Sequence, residues 1–134
     1  MEFKAYKLSY YLNAQHSMDN TNLNIHAHTF NICLLLEDIR KKGFINFEVI
    51  SDIVNGYMGQ FSGKHLNEMP EFIELLPTIE NIGAIFYEEL KLLLMDGEYD
   101  LIQIEISENP LRVYSISDRL YLGTKPTETT TYTI

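Results

Sequence analysis

Apolar and polar positions fall along this chain in six successive patterns, and the period of each predicts an element. Residues 2–14, rich in Tyr, Phe and Leu, read as a first strand, and the polar stretch "SMDNTNLN" (17–24) as a loop. Residues 27–38 read as a second strand. Phe30, Ile32, Leu34 and Leu36 share a parity with His26 and His28, and Cys33 has the opposite one, so it points to the other face. "RKKG" (40–43) is a turn. Ile50, Ile53, Val54, Tyr57, Met58 and Phe61 then recur at helical spacing. A second helix starts at "PT", with Thr78 as N-cap and Glu80 in the first turn, and carries an apolar stripe of Ile82, Ile85, Phe86, Leu90 and Leu93. "DGEYD" (96–100) stops it. "LIQIEIS" (101–107) alternates strictly as a third strand, "ENP" turns the chain, and residues 111–122 form a fourth strand. The order ββααββ predicts an α+β domain: a four-stranded antiparallel sheet with two helices packed on one face. One domain is expected over 1–122, followed by a polar, Thr-rich tail at 123–134.

Composition narrows the function classes. The chain has 134 residues and a formal net charge of −9, with a pI near 4.8. An acidic surface disfavours nucleic acid and anionic membrane as partners. No apolar run reaches transmembrane length, and "MEFKAYKLSYYL" lacks a signal-peptide pattern. The single cysteine, Cys33, excludes an internal disulfide framework. A soluble, cytoplasmic protein is the expectation.

The candidate chemistry lies in the histidines. His26 and His28 stand two apart at the mouth of a strand, so their imidazoles project to one face, as half of a metal site would require. Spacing alone leaves a second reading open, that of two surface histidines at a strand edge. His16 ends the first strand. If the first two strands pair as a hairpin, loop 17–25 returns His16 toward the other two; otherwise it is a strand-end surface residue.

Further short motifs follow in a fixed order: "NAQH" (13–16), "HAHTF" (26–30), "GFINF" (43–47), "HLNEMPEF" (65–72), "PTIEN" (77–81) and "ISENP" (106–110). With these the chain, from about residue 5 to 116, resembles the 6-pyruvoyl-tetrahydropterin synthase and 6-carboxytetrahydropterin synthase family. The resemblance implies a T-fold, with His16, His26 and His28 similar to the family's Zn2+ ligands. It implies that Glu108 occupies the place of the glutamate that anchors the pterin ring, with Glu105 as the competitor if the final hairpin is in a different register. Thr78 and Glu80 fall in the segment that lines the pterin pocket in relatives, and helix capping is the alternative role for Thr78. The small-molecule partner implied is a pterin, and the assembly implied is a homo-oligomer, a hexamer built as a dimer of trimers.

The chain also departs from the family's pattern. The proton-transfer cysteine that precedes the paired histidines is missing, and Asn20 and Asn22 stand in the possible positions. An amide has no proton equilibrium near neutrality. The Asp-His pair ahead of "LN" is replaced by Ser62 and Gly63. His65, preceded by Lys64, is the candidate replacement base, against the alternative of an exposed loop histidine. Cys33 lies on the wrong face to substitute, and its expected role is that of a small buried strand residue. Asn46, where many relatives carry Asp, is expected to be structural. The resemblance therefore implies a zinc-dependent carbon–oxygen lyase acting on a dihydroneopterin-type substrate, with altered or weak activity. Its alternatives are a catalytically silent zinc- and pterin-binding homologue, or a structural oligomer. The acidic charge slightly disfavours a triphosphate side chain, unless "RKK" (40–42) supplies a local basic patch.

Overall fold

In the computed structural model, which describes residues 4–19, 24–40, 44–118 and the backbone of 131–133, the first two strands make a long antiparallel hairpin. Strand β1 (Ala5–His16) pairs with β2 (His26–Asp38) in an unbroken register from Tyr6 opposite Leu36 to His16 opposite His26. β1 thus runs two residues past the predicted end, because the ladder continues through the histidines. β3 (Tyr99–Asn109) pairs antiparallel with β2, and β4 (Arg112–Ser117) with β3. The predicted strand positions 119–122 lie outside the described residues, as do Asn20, Asn22, Lys41 and Lys42. One strand was not expected: Thr131–Thr133, within the polar tail, pairs parallel with Ala5–Lys7 as a short edge strand, β5. The sheet order is β4-β3-β2-β1-β5.

Two helices cover one face. α1 spans Phe47–Met58 and α2 spans Ile79–Asp96. Asn46 caps α1, its Oδ1 accepting from the amides of Glu48 and Val49 at 3.1 and 3.3 Å, which is the structural role expected of it. Thr78 caps α2 as expected, its Oγ1 accepting from Asn81 N at 3.1 Å. The helices bury Ile50, Val54, Tyr57, Met58, Ile82, Phe86, Leu90 and Leu94 against Leu8, Leu12, Phe30, Ile32, Leu34, Leu36, Ile104 and Ile106 of the sheet. The α2 stripe differs from the expected one in its last turn. Leu93 is 42% exposed, and Leu94 takes the core position because 3.6 residues per turn carry the stripe one step on after Leu90. Gly83 lets α2 approach closely: a Cβ there would stand 3.0 Å from Ile106 Cγ2.

Cys33 lies on the uncovered face, buried, with its Sγ 3.1 Å from Ser9 Oγ. Between the helices, residues 61–76 are held down by the buried side chains of Phe61, Leu66 and Phe72. This segment is tied to the end of β1 by two amides, Gly63 N to Asn13 O (2.7 Å) and Gln15 N to Lys64 O (2.9 Å). Among the described residues no helix is long and apolar enough to cross a membrane.

Candidate metal centre

The hairpin register alone assembles the centre. His16 sits directly opposite His26, and Ala14 opposite His28, so the three imidazoles share the helix-covered face at the end of the sheet. Their ring centroids lie 4.6, 5.1 and 4.6 Å apart, with the planes close to perpendicular. Phe30, one pleat deeper, floors the cluster, with its ring 5.4 Å from that of His16. One ligand nitrogen from each histidine can be chosen so that all lie within 4.8 Å of one another, a grouping that could hold a metal ion.

The ring orientations fit that role. His16 is buried, and its Nδ1 lies 2.7 Å from the Pro77 carbonyl oxygen. A carbonyl can only accept, so Nδ1 carries the hydrogen and Nε2 is left as a lone pair aimed at the other histidines. That Nε2 is buried and makes no hydrogen bond among the described residues. His26 is oriented in the same way, with Nδ1 3.1 Å from Asn24 O. Backbone carbonyls that set the tautomer of a ligating histidine are the usual outer support of a metal site. Burial pushes the His16 pKa below its ordinary value. The Pro77 hydrogen bond and the Glu108 carboxylate push the other way, and burial is the largest of these influences. The ring is thereby held in the neutral form that ligates metal.

Glu108 joins this cluster. Its carboxylate oxygens stand 3.3 Å from His16 Nε2 and 3.5 Å from His28 Nε2. Glu105 lies on the opposite face, where it pairs with Lys7 at 3.0 Å and accepts from Gln103 Nε2 at 3.0 Å. Parity along β3 therefore separates the two glutamates.

The other expected site residues lie outside this cluster. Thr78 follows Pro77 directly, and its hydroxyl oxygen caps α2; Glu80 is exposed in the helix's first turn. His65 sits beside Gln15, one residue from His16 along β1, through an isolated bridge. Its Nδ1 faces Glu68 Oε1 at 3.6 Å, and its Nε2 is buried without a hydrogen-bond partner among the described residues. Ser62 and Gly63 occupy the loop beside β1, where Gly63 has φ +72° and nothing stands within 4 Å of where its Cβ would be. Arg40, from the basic stretch, is engaged with Asp38 Oδ1 at 3.2 Å and Tyr99 OH at 2.6 Å.

Three contributors were not found in the sequence. Pro77 and Asn24 act through carbonyl oxygens, which no side-chain pattern reports. Asn67 clamps the residue after His16 from both sides, its Oδ1 accepting from Ser17 N and its Nδ2 donating to Ser17 O, each at 2.8 Å. The "HLN" motif marked Asn67 without revealing this role. Two open clefts each include one of the histidines in their lining. One of about 570 Å³ lies beside His26, Asn24 and Asp19, and one of about 360 Å³ beside His28, Asn13, Thr29 and Gly63.

Comparison with known proteins agrees with this construction. A family model described as 6-pyruvoyl tetrahydropterin synthase matches residues 4–119. No curated protein sequence matches the chain. Among solved structures, Caenorhabditis elegans 6-pyruvoyl tetrahydropterin synthase superposes with a TM-score of 0.70 at 16% identity, over 88% of this chain and 100% of that one. An uncharacterised protein of Wolinella succinogenes gives 0.62 at 12% identity, over 87% and 100%. Plasmodium falciparum 6-pyruvoyl tetrahydropterin synthase gives 0.58 at 14%, over 88% and 100%. These likenesses establish the fold as the T-fold of those proteins. The family model spans all the described strands but the last, both helices and all three histidines, and on that match the chain belongs to the 6-pyruvoyl tetrahydropterin synthase family.

Proposed function

We propose that this protein is a zinc-binding member of its family that holds a dihydropterin over the three-histidine centre, and that its conversion of dihydroneopterin triphosphate is weak or absent. The observation that carries the metal reading is His16 Nε2: a buried lone pair, fixed by the Pro77 carbonyl, grouped with two further imidazoles and given no proton donor among the described residues. Leaving a buried acceptor unsatisfied costs about 1–3 kcal/mol, and a cation removes that cost. Three neutral imidazoles suit Zn2+, whereas Mg2+ and Ca2+ prefer oxygen ligands. Bound there, zinc would polarise the side-chain oxygens of a dihydropterin and lower their pKa.

The chain's own residues would do the rest. Glu108 is the pterin anchor in this reading, since a carboxylate offers two oxygens to the paired N–H donors of the amino-pyrimidinone edge. Its position against His16 and His28 supports a pocket that meets the metal. Thr78 and Glu80, at the start of α2 beside Pro77, belong to the same pocket wall. His65 is the one histidine left for general base work, and its Nε2, buried and without a hydrogen-bond partner among the described residues, supports that role. The edges of β4 and β5, which no other described strand pairs, support assembly into a homohexamer, a dimer of trimers, because exposed strand edges need a partner. Light scattering at micromolar concentration should find no monomer. Residues 1–122 are read as the functional domain, with 123–134 as its tail.

A second reading is a zinc- and pterin-binding homologue without turnover. It is favoured by Gly63, which puts an empty, left-handed position where relatives carry the histidine of the Asp-His pair. One experiment addresses both. Protein purified without a metal-affinity column is analysed for zinc, then assayed with dihydroneopterin triphosphate and with unphosphorylated dihydroneopterin. About one zinc per chain is expected, with turnover on the triphosphate reduced by at least the 10²- to 10⁴-fold that acid–base catalysis typically contributes. Absence of metal after zinc is supplied would refute the metal reading. Full activity on the triphosphate would refute the predicted loss, and retention of that activity in His65→Ala would refute His65 as the base.

A further inference from the structure

Resting on the metal reading above, we infer that Glu108 is also a displaceable fourth ligand of the metal, closing the three-histidine centre when the pocket is empty and leaving it when a pterin binds. The distances carry this. Charge-assisted N–H···O bonds run at about 2.7–2.9 Å. The Glu108 oxygens stand farther off, at 3.3 and 3.5 Å from His16 Nε2 and His28 Nε2. Ligand atoms about 2.0–2.2 Å from a zinc ion in a tetrahedral shell are separated from each other by about 3.4 Å. The carboxylate thus stands at the spacing of a co-ligand, and it lies beyond that of a hydrogen-bond partner.

The proton count agrees. The Nδ1 of His16 donates to the Pro77 carbonyl, so its Nε2 lone pair faces a carboxylate oxygen, acceptor against acceptor. Two such groups at that separation, one of them buried, call for a cation between them. Glu105, the other acidic side chain of this part of β3, is committed to Lys7 on the far face and does not compete for the position.

Displaceability follows from the backbone and from valence. The β3–β4 ladder is regular up to Ile106 opposite Tyr114, then breaks before Asn109 opposite Arg112, and Glu108 lies in that irregular stretch. Its side chain is half-buried and reached from solvent, unlike that of His16. A carboxylate that gives the metal the pocket-facing lone pair of one oxygen has only its other oxygen in position there, so it offers the paired N–H groups of a pterin one aligned acceptor instead of two. Ligand anchoring and metal closure are therefore alternatives for the same group, and pterin entry opens the fourth position as it fills the pocket.

The test uses the full chain loaded with Co2+ in place of zinc, read by visible absorption, together with zinc affinity by competition with a chelator. The wild type should show the intense d–d bands of a four-coordinate site. Glu108→Gln should change those bands and weaken zinc by at least about tenfold, the lower end of what losing even an outer-shell partner costs. Glu105→Gln should do neither. Adding dihydroneopterin should shift the wild-type Co2+ spectrum and leave that of Glu108→Gln unshifted. Glu108→Asp, which shortens the reach but keeps the charge, should bind zinc more weakly than the wild type while folding normally by circular dichroism. An unchanged spectrum and affinity in Glu108→Gln, with His28→Ala abolishing binding, would overturn this inference and leave the three-histidine site standing. Absence of Co2+ binding by the wild type would overturn both.

Discussion

Two glycines should respond in opposite directions to the same added methyl group. Gly56 lies in α1 and Gly63 in the loop beside β1, and among the described residues no atom beyond the adjoining backbone stands within 4 Å of an added Cβ at either. Sterics between neighbours therefore drop out, and only backbone conformation remains. Gly56 is helical, so Gly56→Ala removes the entropic disadvantage of glycine in a helix and should stabilise by up to about 1 kcal/mol. Gly63 has φ +72°, where an L residue pays about 1–2 kcal/mol; the smaller entropy of the unfolded chain returns several tenths, so Gly63→Ala should destabilise by about 0.5–1.5 kcal/mol. Gly63→Asn should fall between, since Asn tolerates the left-handed region. The assay is urea unfolding at one fixed protein concentration, read as a midpoint shift with unchanged slope. Equal or greater stability of Gly63→Ala would refute the reasoning. Introducing a histidine there meets the same backbone cost, and the Gly63 N to Asn13 O bond that fixes the loop would have to survive it.

Other expectations rest on single observations. Asn46→Ala removes the acceptor for Glu48 N and Val49 N and should cost about 1 kcal/mol in the same assay, while Asn46→Asp should cost little. Leu94→Ala should cost about 2–5 kcal/mol and Leu93→Ala no more than about 0.5, since only Leu94 is buried; similar losses for both would place the α2 stripe wrongly. In chelator-treated protein the folded His16 pKa lies below its ordinary value, so the unfolded chain takes up the proton first. Stability should then fall as pH drops below about 6.5 and stop falling once the folded His16 also protonates, and a profile that His16→Gln leaves unaltered would contradict this.

Most of the fold was legible because its elements are strongly periodic. The alternation of Phe30, Ile32, Leu34 and Leu36 placed β2 and, with it, the face that His26 and His28 share. The helix cap at Thr78 was readable as a residue type suited to its position, whereas Asn46 was marked only as structural and its capping role came from the structure. What escaped follows from the same physics. Leu93 and Leu94 are equally apolar neighbours, both at helical spacing from Leu90, and the 3.6-residue turn brings Leu94 to the core. β5 is three residues of a Thr-rich tail, too short for any period to show. In the site, His26 and His28 were visible as side chains at fixed parity, and Glu108 only through the family resemblance, with Glu105 left open beside it. The carbonyls of Pro77 and Asn24, which aim two of the rings, belong to the backbone and have no residue-type signal at all.

The two parts of the site answer to different constraints, and this explains how one can persist while the other changes. The histidines of β2 lie on the same parity as its core residues, and His16 is held opposite them by the hairpin register. A one-residue slip of that register would move Phe30, Ile32, Leu34 and Leu36 off the core along with the histidines, so the geometry that converges the imidazoles is enforced by the same burial that folds the domain. Ser62 and Gly63 have no such tie. They are exposed, and their segment is anchored by backbone hydrogen bonds to Asn13 and Gln15 and by Phe61 and Leu66 on either side. Side chains there can be exchanged without moving any core residue. Exchanges at Ser62 and Gly63 should therefore leave folding and the convergence of the three imidazoles intact. What the sheet enforces is the convergence of three imidazoles on one point, and what it leaves free is the side-chain content of the loop beside them.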